Sequence, residues 1–364
     1  MCRAARLVPI ATLNSLNRTE EEEGNVPVET YRTADYHTAG EPFRIVTEIG
    51  TPIPGETVAE RRVHAMNSAA IERVRRILCF EPRGHADMYG GFITPPDDDG
   101  ADFGVLFWHK DGFSTACGHG TIALGVWAVE SGLAEAPATG TTDVVIDVPS
   151  GRVTARVHTE EGRVTAADFV NVPGYVLATG VTVPTSRGEV TVDVTYGGAI
   201  YAQLDVTTVG ESIHPSRTGD LIALGREIKW ALNDSPVAEH PVDDRLSGIY
   251  GTILFEDLPR QRPDVVSQRN ATIFADGELD RSPCGSGTCA RVATLTVSGV
   301  LAEDAVLEHG SIVGSSFTAR VLERTEVAGY EAVVTQVSGM AYPTGESIFT
   351  VDPHDPLVPG FVLR

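Results

Sequence analysis

The feature that most constrains this chain is that part of it is written twice. Residues 117–132 read CGHGTIALGVWAVESG and residues 284–299 read CGSGTCARVATLTVSG, with seven of sixteen positions identical at a fixed offset of 167. The shared positions are the Cys, three glycines, a Thr, an Ala and a Ser, too many for chance placement of common residues. In a chain of 364 residues that offset is close to half the length, which points to a duplicated domain. Domains of roughly 150 residues, each able to bury its own core, fit the same length. Each copy is predicted to carry a Cys-Gly-x-Gly-Thr turn that opens a helix, and each helix to stop at a glycine, Gly132 or Gly299.

Around the repeat the pattern is strand-rich, with glycine and proline punctuation. β-Branched runs at 43–48, 105–108, 144–148, 153–157, 190–195, 199–206, 272–275 and 332–337 read as strands. Helical spacing predicts an amphipathic helix over 57–79 and a second helix over 218–233. The expected organisation is a first half over 28–185 carrying Cys117 and a second half over 186–345 carrying Cys284. Residues 346–364 are expected to pack back on the first half. Residues 1–27 read as a disordered extension, because a short apolar patch runs into the acidic stretch 20–23 without a small-residue cleavage site.

A helix N-terminus presents unpaired N–H groups and the positive end of the helix dipole, so it stabilises a thiolate and receives a carboxylate. Duplicated halves that meet about a pseudo-twofold axis bring their equivalent turns face to face across a cleft. Two opposed thiols, one ionised and one protonated, remove a proton from one face of a carbon and return one to the other. The residues alone therefore suggest a 1,1-proton transfer that inverts configuration.

Composition narrows the alternatives. The chain has only two lysines, Lys110 and Lys229, in a polar turn and on a helix with no phosphate-binding glycine loop beside them, which disfavours a pyridoxal phosphate enzyme. No cofactor is expected. A formal charge of −22 repels phosphate backbones, so a nucleic-acid partner is not expected either. No apolar run of the roughly 18 residues that a membrane span needs is present. Five cysteines without a secretory signal suggest free thiols in the cytoplasm. Cys2, Cys79 and Cys289 read as small buried hydrophobes. Cys117 and His119 have no second ligand pair at metal spacing, so no metal is expected. His37 and His85 read as hydrogen-bonders in turns, and the acidic runs 97–99 and 243–244 as solvated loops.

At several specific segments the sequence resembles the proline racemase superfamily. They are DYHTAGEPFRIV at 35–46, EPRGHADMYG at 81–90, the CGHG turn at Cys117, DRSPCGSGT at 280–288 and DPLVPGFVLR at 355–364. The resemblance implies an α+β, diaminopimelate-epimerase-like duplicated fold: two α/β halves, each with a sheet wrapped around a central helix, the active site between them, and a homodimer. It implies Cys117 and Cys284 as catalytic acid and base, and His119 and Asp280 as ligands of a substrate ring nitrogen. It also implies the amides of Gly118, His119, Gly285 and Ser286 as a carboxylate cradle, and Phe274 as an aromatic wall against the ring. The small-molecule substrate would be proline or a hydroxyproline.

Within that family the dehydratases acting on trans-3-hydroxy-L-proline usually replace the second cysteine by threonine, since elimination needs no returned proton. Cys284 therefore favours a racemase or epimerase. YGGAIYA at 196–202 and YGTIL at 250–254 look more like the dehydratase branch. A dehydratase giving a pyrroline-2-carboxylate is the alternative, and a non-catalytic amino-acid binder or thiol sensor is a third reading.

Overall fold

The computed structural model describes residues 28–260 and 262–363. The extension expected over 1–27, with Cys2, lies outside the described residues.

The first half opens with β1 (Glu29–Thr38) and β2 (Glu41–Val46), a hairpin turned at Ala39 and Gly40, both at positive φ. His37 Nδ1 accepts the Gly40 N–H at 3.2 Å, so this histidine shapes the turn. Two helices, α1 (Val58–Met66) and α2 (Ala69–Cys79), stand where one was expected over 57–79. The break has a local cause: Ser68 leaves helical dihedrals and its side chain accepts the Ile71 N–H, capping α2. Asp97, expected in a solvated loop, instead accepts the Val58 N–H at 2.6 Å and secures the start of α1. Asp243 likewise caps a short helical turn and pairs with Arg245. Then come β3 (Gly90–Thr94), β4 (Phe103–His109), β5 (Gly112–Phe113), α3 (Gly118–Glu130), β6 (Gly140–Val148), β7 (Gly151–Glu160) and β8 (Arg163–Val170).

β9 (Gly174–Thr185), expected at the end of the first half, pairs instead with β10 (Gly188–Tyr196) and opens the second, which runs on through β11 (Ile200–Asp205) and α4 (Thr218–Leu232). It continues through β12 (Ile249–Asp257), β13 (Val265–Phe274), β14 (Glu278–Leu279) and α5 (Gly285–Val297). β15 (Val306–Gly310), β16 (Ser316–Val327) and β17 (Tyr330–Gly339) complete it, and β18 (Ala341–Val351) follows.

Strand pairing repeats from one half to the other. β2 runs parallel to β3, β3 antiparallel to β4 and β4 parallel to β6, with antiparallel β6–β7 and β7–β8 after them. The series β11, β12, β13, β15, β16 and β17 repeats every step in the same sense. The last hairpins turn at Glu161-Gly162 and at Ala328-Gly329, all four at positive φ and again 167 positions apart.

Each half folds its sheet around one helix. α3 packs among β1, β2, β6, β7, β8 and β18, and α5 among β9, β10, β11, β16 and β17. Both helices are apolar or small nearly all round, the composition of a helix with sheet on every side. Side chains such as Ile122, Leu124, Val126 and Leu295 are buried there, each contributing about 1.5–3 kcal/mol of apolar burial. β17 pairs with β9 within the second half and with β8 of the first, and the β17–β8 pairing sews the halves together. β18 pairs antiparallel with β1 from Ala341 opposite Thr38 to Val351 opposite Glu29. The result is the duplicated α+β architecture expected from the repeat. Among the described residues, no helix is long and apolar enough to cross a membrane.

Candidate active site

The packing holds α3 and α5 with their N-termini against each other where the halves meet. Only glycine fits at the contact: a Cβ on Gly118 would stand 2.5 Å from the Gly285 Cα, and one on Gly285 2.6 Å from the Gly118 Cα. Cys117 and Cys284 are the N-cap residues of these helices. The two thiols therefore border one enclosed space, together with Gly118, His119, Asp280, Gly285, Ser286 and Phe274. Every site residue expected from the sequence comes together there. The space is about 10 Å³, room for a single water and too little for a five-membered ring. The cleft is closed, and a ring enters only if it widens.

Cys117 takes an extended conformation and its Sγ accepts the Gly120 N–H at 3.2 Å, as an N-cap oxygen would. Both His119 ring nitrogens lie 3.5 Å from the same sulfur. Cys284 is set differently. Its φ of 63° lies in the left-handed region that non-glycine residues avoid, at a cost of about 1–3 kcal/mol. The DRSPC loop holds it there: Asp280 Oδ1 accepts the Ser282 N–H (2.8 Å) and hydroxyl (2.7 Å), and Ser282 Oγ accepts the Cys284 N–H at 3.0 Å. Two carboxylates of the first half grip this loop. Glu41 accepts the Arg281 N–H at 2.7 Å, and Asp87 accepts from the Leu279 N–H at 3.2 Å and the Arg281 guanidinium at 2.8 Å.

Burial dominates the electrostatics. It pushes both site thiols well above the ordinary cysteine range, against the lowering effect of the Gly120 and Gly287 amides. It raises Asp280 to about 6 and lowers His119 to about 3. At neutral pH the closed site thus holds a neutral imidazole and an ionised carboxylate 4.0 Å apart. Glu41 is also raised, by burial and then by the charge of Asp280. The side chains that line the cavity include no lysine or arginine.

The remaining wall is aromatic. Phe274 stacks on Tyr250 with centroids 5.8 Å apart, and Tyr89 closes the corner 5.7 Å from Phe274. The phenols of Tyr89 and Tyr250 are 3.0 Å apart, and Tyr89 also bonds the Ser114 hydroxyl. Tyr201 bonds Ser286 Oγ at 2.7 Å and stands 3.9 Å from the Cys284 sulfur. Sequence reasoning did not assign these three tyrosines or Glu41 to the site. All four stand in segments it had picked out: Tyr89 in EPRGHADMYG, Tyr201 in YGGAIYA, Tyr250 in YGTIL and Glu41 in DYHTAGEPFRIV. Gly197 packs on α5, where a Cβ would meet the Ser286 carbonyl at 2.7 Å, and a Cβ on Gly198 would meet that of Ala116 at 2.8 Å.

Fold and site together define an enzyme built from two homologous halves, with one cysteine-capped helix from each at their junction. The chain belongs to the proline racemase family, whose model, described as proline racemase, matches residues 33–362. It is 44% identical over 333 residues to a 3-hydroxyproline 2-epimerase of Burkholderia multivorans, covering 91% of this chain and 98% of that one. It is 42% identical over 334 residues to a trans-3-hydroxy-L-proline dehydratase of Bacillus cereus, covering 92% and 98%. The solved structure of a hydroxyproline epimerase from Agrobacterium vitis, with bound trans-4-hydroxy-L-proline, superposes with a TM-score of 0.84 at 29% identity, covering 92% and 96%.

Proposed function

We propose that this protein is a cofactor-independent epimerase that inverts Cα of a hydroxyproline, 3-hydroxyproline first among them, with Cys117 and Cys284 alternating as base and acid. The observation that carries this reading is the head-on contact of α3 and α5 at Gly118 and Gly285, which puts the two thiols on the same small cavity. The substrate's secondary ammonium has two N–H groups, one for the Asp280 carboxylate and one for the neutral His119 ring. Its carboxylate lies on the N-terminal amides of the two helices, at Gly118, His119, Gly285 and Ser286, which have no acceptor within their own helix. When one thiolate takes the Cα proton, charge moves into the carboxylate, and those amides stabilise it where it develops. The opposite thiol then delivers its proton to the other face.

A hydroxylated ring is favoured over proline by the wall it would meet. The Tyr250 phenol, bonded to that of Tyr89, has hydrogen-bonding capacity left for a ring hydroxyl, which a plain ring does not use. The names of the relatives agree with this.

A second reading is dehydration of trans-3-hydroxy-L-proline, supported by the Bacillus cereus relative. The same Cα carbanion forms a C2–C3 double bond as the 3-hydroxyl departs, and a thiol proton passes to the leaving oxygen, giving water, instead of to Cα. Incubation of the purified protein with L-proline, trans-4-hydroxy-L-proline and trans-3-hydroxy-L-proline in D2O, read by NMR, separates the outcomes. Inversion gives a Cα-deuterated epimer, dehydration gives a pyrroline carboxylate, and a binder gives neither.

A further inference from the structure

The chain has two lysines, and the fold buries both in one place. Lysine is among the residues least often buried, because its ammonium loses water unless it is paired. Lys229, in the last turn of α4, donates to the Tyr250 carbonyl at 3.2 Å and to the Ala275 carbonyl more closely still. Tyr250 lines the substrate cavity, and Ala275 directly follows Phe274, which lines it too. Ala275 has a φ of 48°, so this turn sits in a conformation that needs holding.

Lys110 holds the same turn from the other half. It donates to the Asp276 carbonyl at 3.3 Å, while the Asp276 N–H donates to the Asp111 carboxylate at 2.8 Å. The turn between β4 and β5 and the turn between β13 and β14 are equivalent in the two copies, and they interlock here. Wholly buried Glu278 stands beside them, 3.9 Å from the Lys110 ammonium and 3.1 Å from His109 Nδ1, and burial pushes its carboxyl well above the usual range. His109, Asp111 and Glu278 have the spacing of a metal-ligand set. Yet His109 Nδ1 already accepts the Asp111 N–H at 3.2 Å, and the Lys110 ammonium is 2.5 Å from the Asp111 carboxylate. The cluster carries its own cations.

We infer that Lys229, seconded by Lys110, is a positioning residue that sets substrate specificity by fixing the main chain beneath Tyr250 and Phe274. This rests on the reading that the Tyr250 phenol receives a ring hydroxyl. The thiols, at the N-termini of α3 and α5, are outside the clamp. Freeing the two carbonyls lets Tyr250 shift from Tyr89 and spoils hydroxyl recognition before it spoils proton transfer.

The test compares kcat/KM for hydroxyproline with the rate of Cα deuterium exchange into L-proline, in wild type and in Lys229→Met. The variant is expected to lose about tenfold in the ratio of the two, with the proline exchange rate changed by less than about threefold. Equal losses on both substrates, or an unchanged ratio, overturn the proposal. If Lys229→Met does not fold, Lys110→Met is read for the same ratio, and failure of both to fold assigns the lysines to stability alone and overturns it too. A wild type with no preference for the hydroxylated ring refutes the hydroxyl reading instead, and that is visible before any variant is made.

Discussion

Gly118 and Gly285 touch backbone to backbone, so closely that a methyl group on either would lie within 2.6 Å of the other's Cα. This contact sets the separation of the helix ends, and hence of the two thiols that cap them. Gly118→Ala or Gly285→Ala must push the halves apart. Activity is expected to fall by about 100-fold or more, since small misplacements of reacting groups are costly. Stability is expected to fall by about 1–3 kcal/mol, the usual range for overpacking. Steady-state kinetics beside thermal unfolding check both, and an alanine variant with wild-type activity removes the contact from the mechanism.

Cys117→Ser and Cys284→Ser are each expected to lower the inversion rate by about 100-fold or more, because a hydroxyl is a far weaker base than a thiolate. Cys289→Ala is expected to retain it, as Cys289 is buried on α5 away from the cavity. Optical rotation against time for the three variants decides this.

The acid side of the pH profile is expected to report Asp280. Its carboxyl, raised by burial to about 6, accepts the substrate ammonium only when ionised. As pH falls through that value the acceptor is lost, so kcat/KM is expected to drop by up to about tenfold per pH unit below it. A profile flat between about pH 5 and 7 contradicts this role.

Away from the site, Glu211 is held by Arg217 and Arg187, and hydrogen bonding to Arg217 is the largest influence lowering its carboxyl to about 2 from an ordinary 4.5. A depressed carboxyl stabilises the fold above its unfolded value and loses that contribution as pH falls from there toward 2. Glu211→Gln is expected to cost about 1–3 kcal/mol at neutral pH, seen as a drop of several degrees in Tm, and much less near pH 3. A pH-independent difference in Tm assigns the loss to packing rather than charge.

Much of this was legible in the repeat. The two segments at offset 167 become α3 and α5, each stopped by a glycine at positive φ, Gly132 and Gly299. The residues that line the cavity within those segments were identifiable because local chemistry, a cysteine before a helix with glycines behind it, marks them. Contacts between distant segments were not. Lys110 reads as a residue of a polar turn, and nothing in its own segment points to its burial against Asp276, 166 positions away. The tyrosine wall was hidden for a similar reason: Tyr89 and Tyr250 belong to different halves, and nothing in either segment says that their phenols meet. The break at Ser68 is a third case. Helical spacing continues across it, while a side-chain cap on the Ile71 N–H divides the helix.

The most direct measurement is the fate of Cα when the protein acts on trans-3-hydroxy-L-proline in D2O, followed by NMR with chiral separation of the products. Proton transfer between two opposed thiols requires the C2 epimer to appear with one deuterium at Cα and no cyclic imine. Deuterium entering Cα without any change of configuration, or a pyrroline carboxylate formed without the epimer, contradicts it.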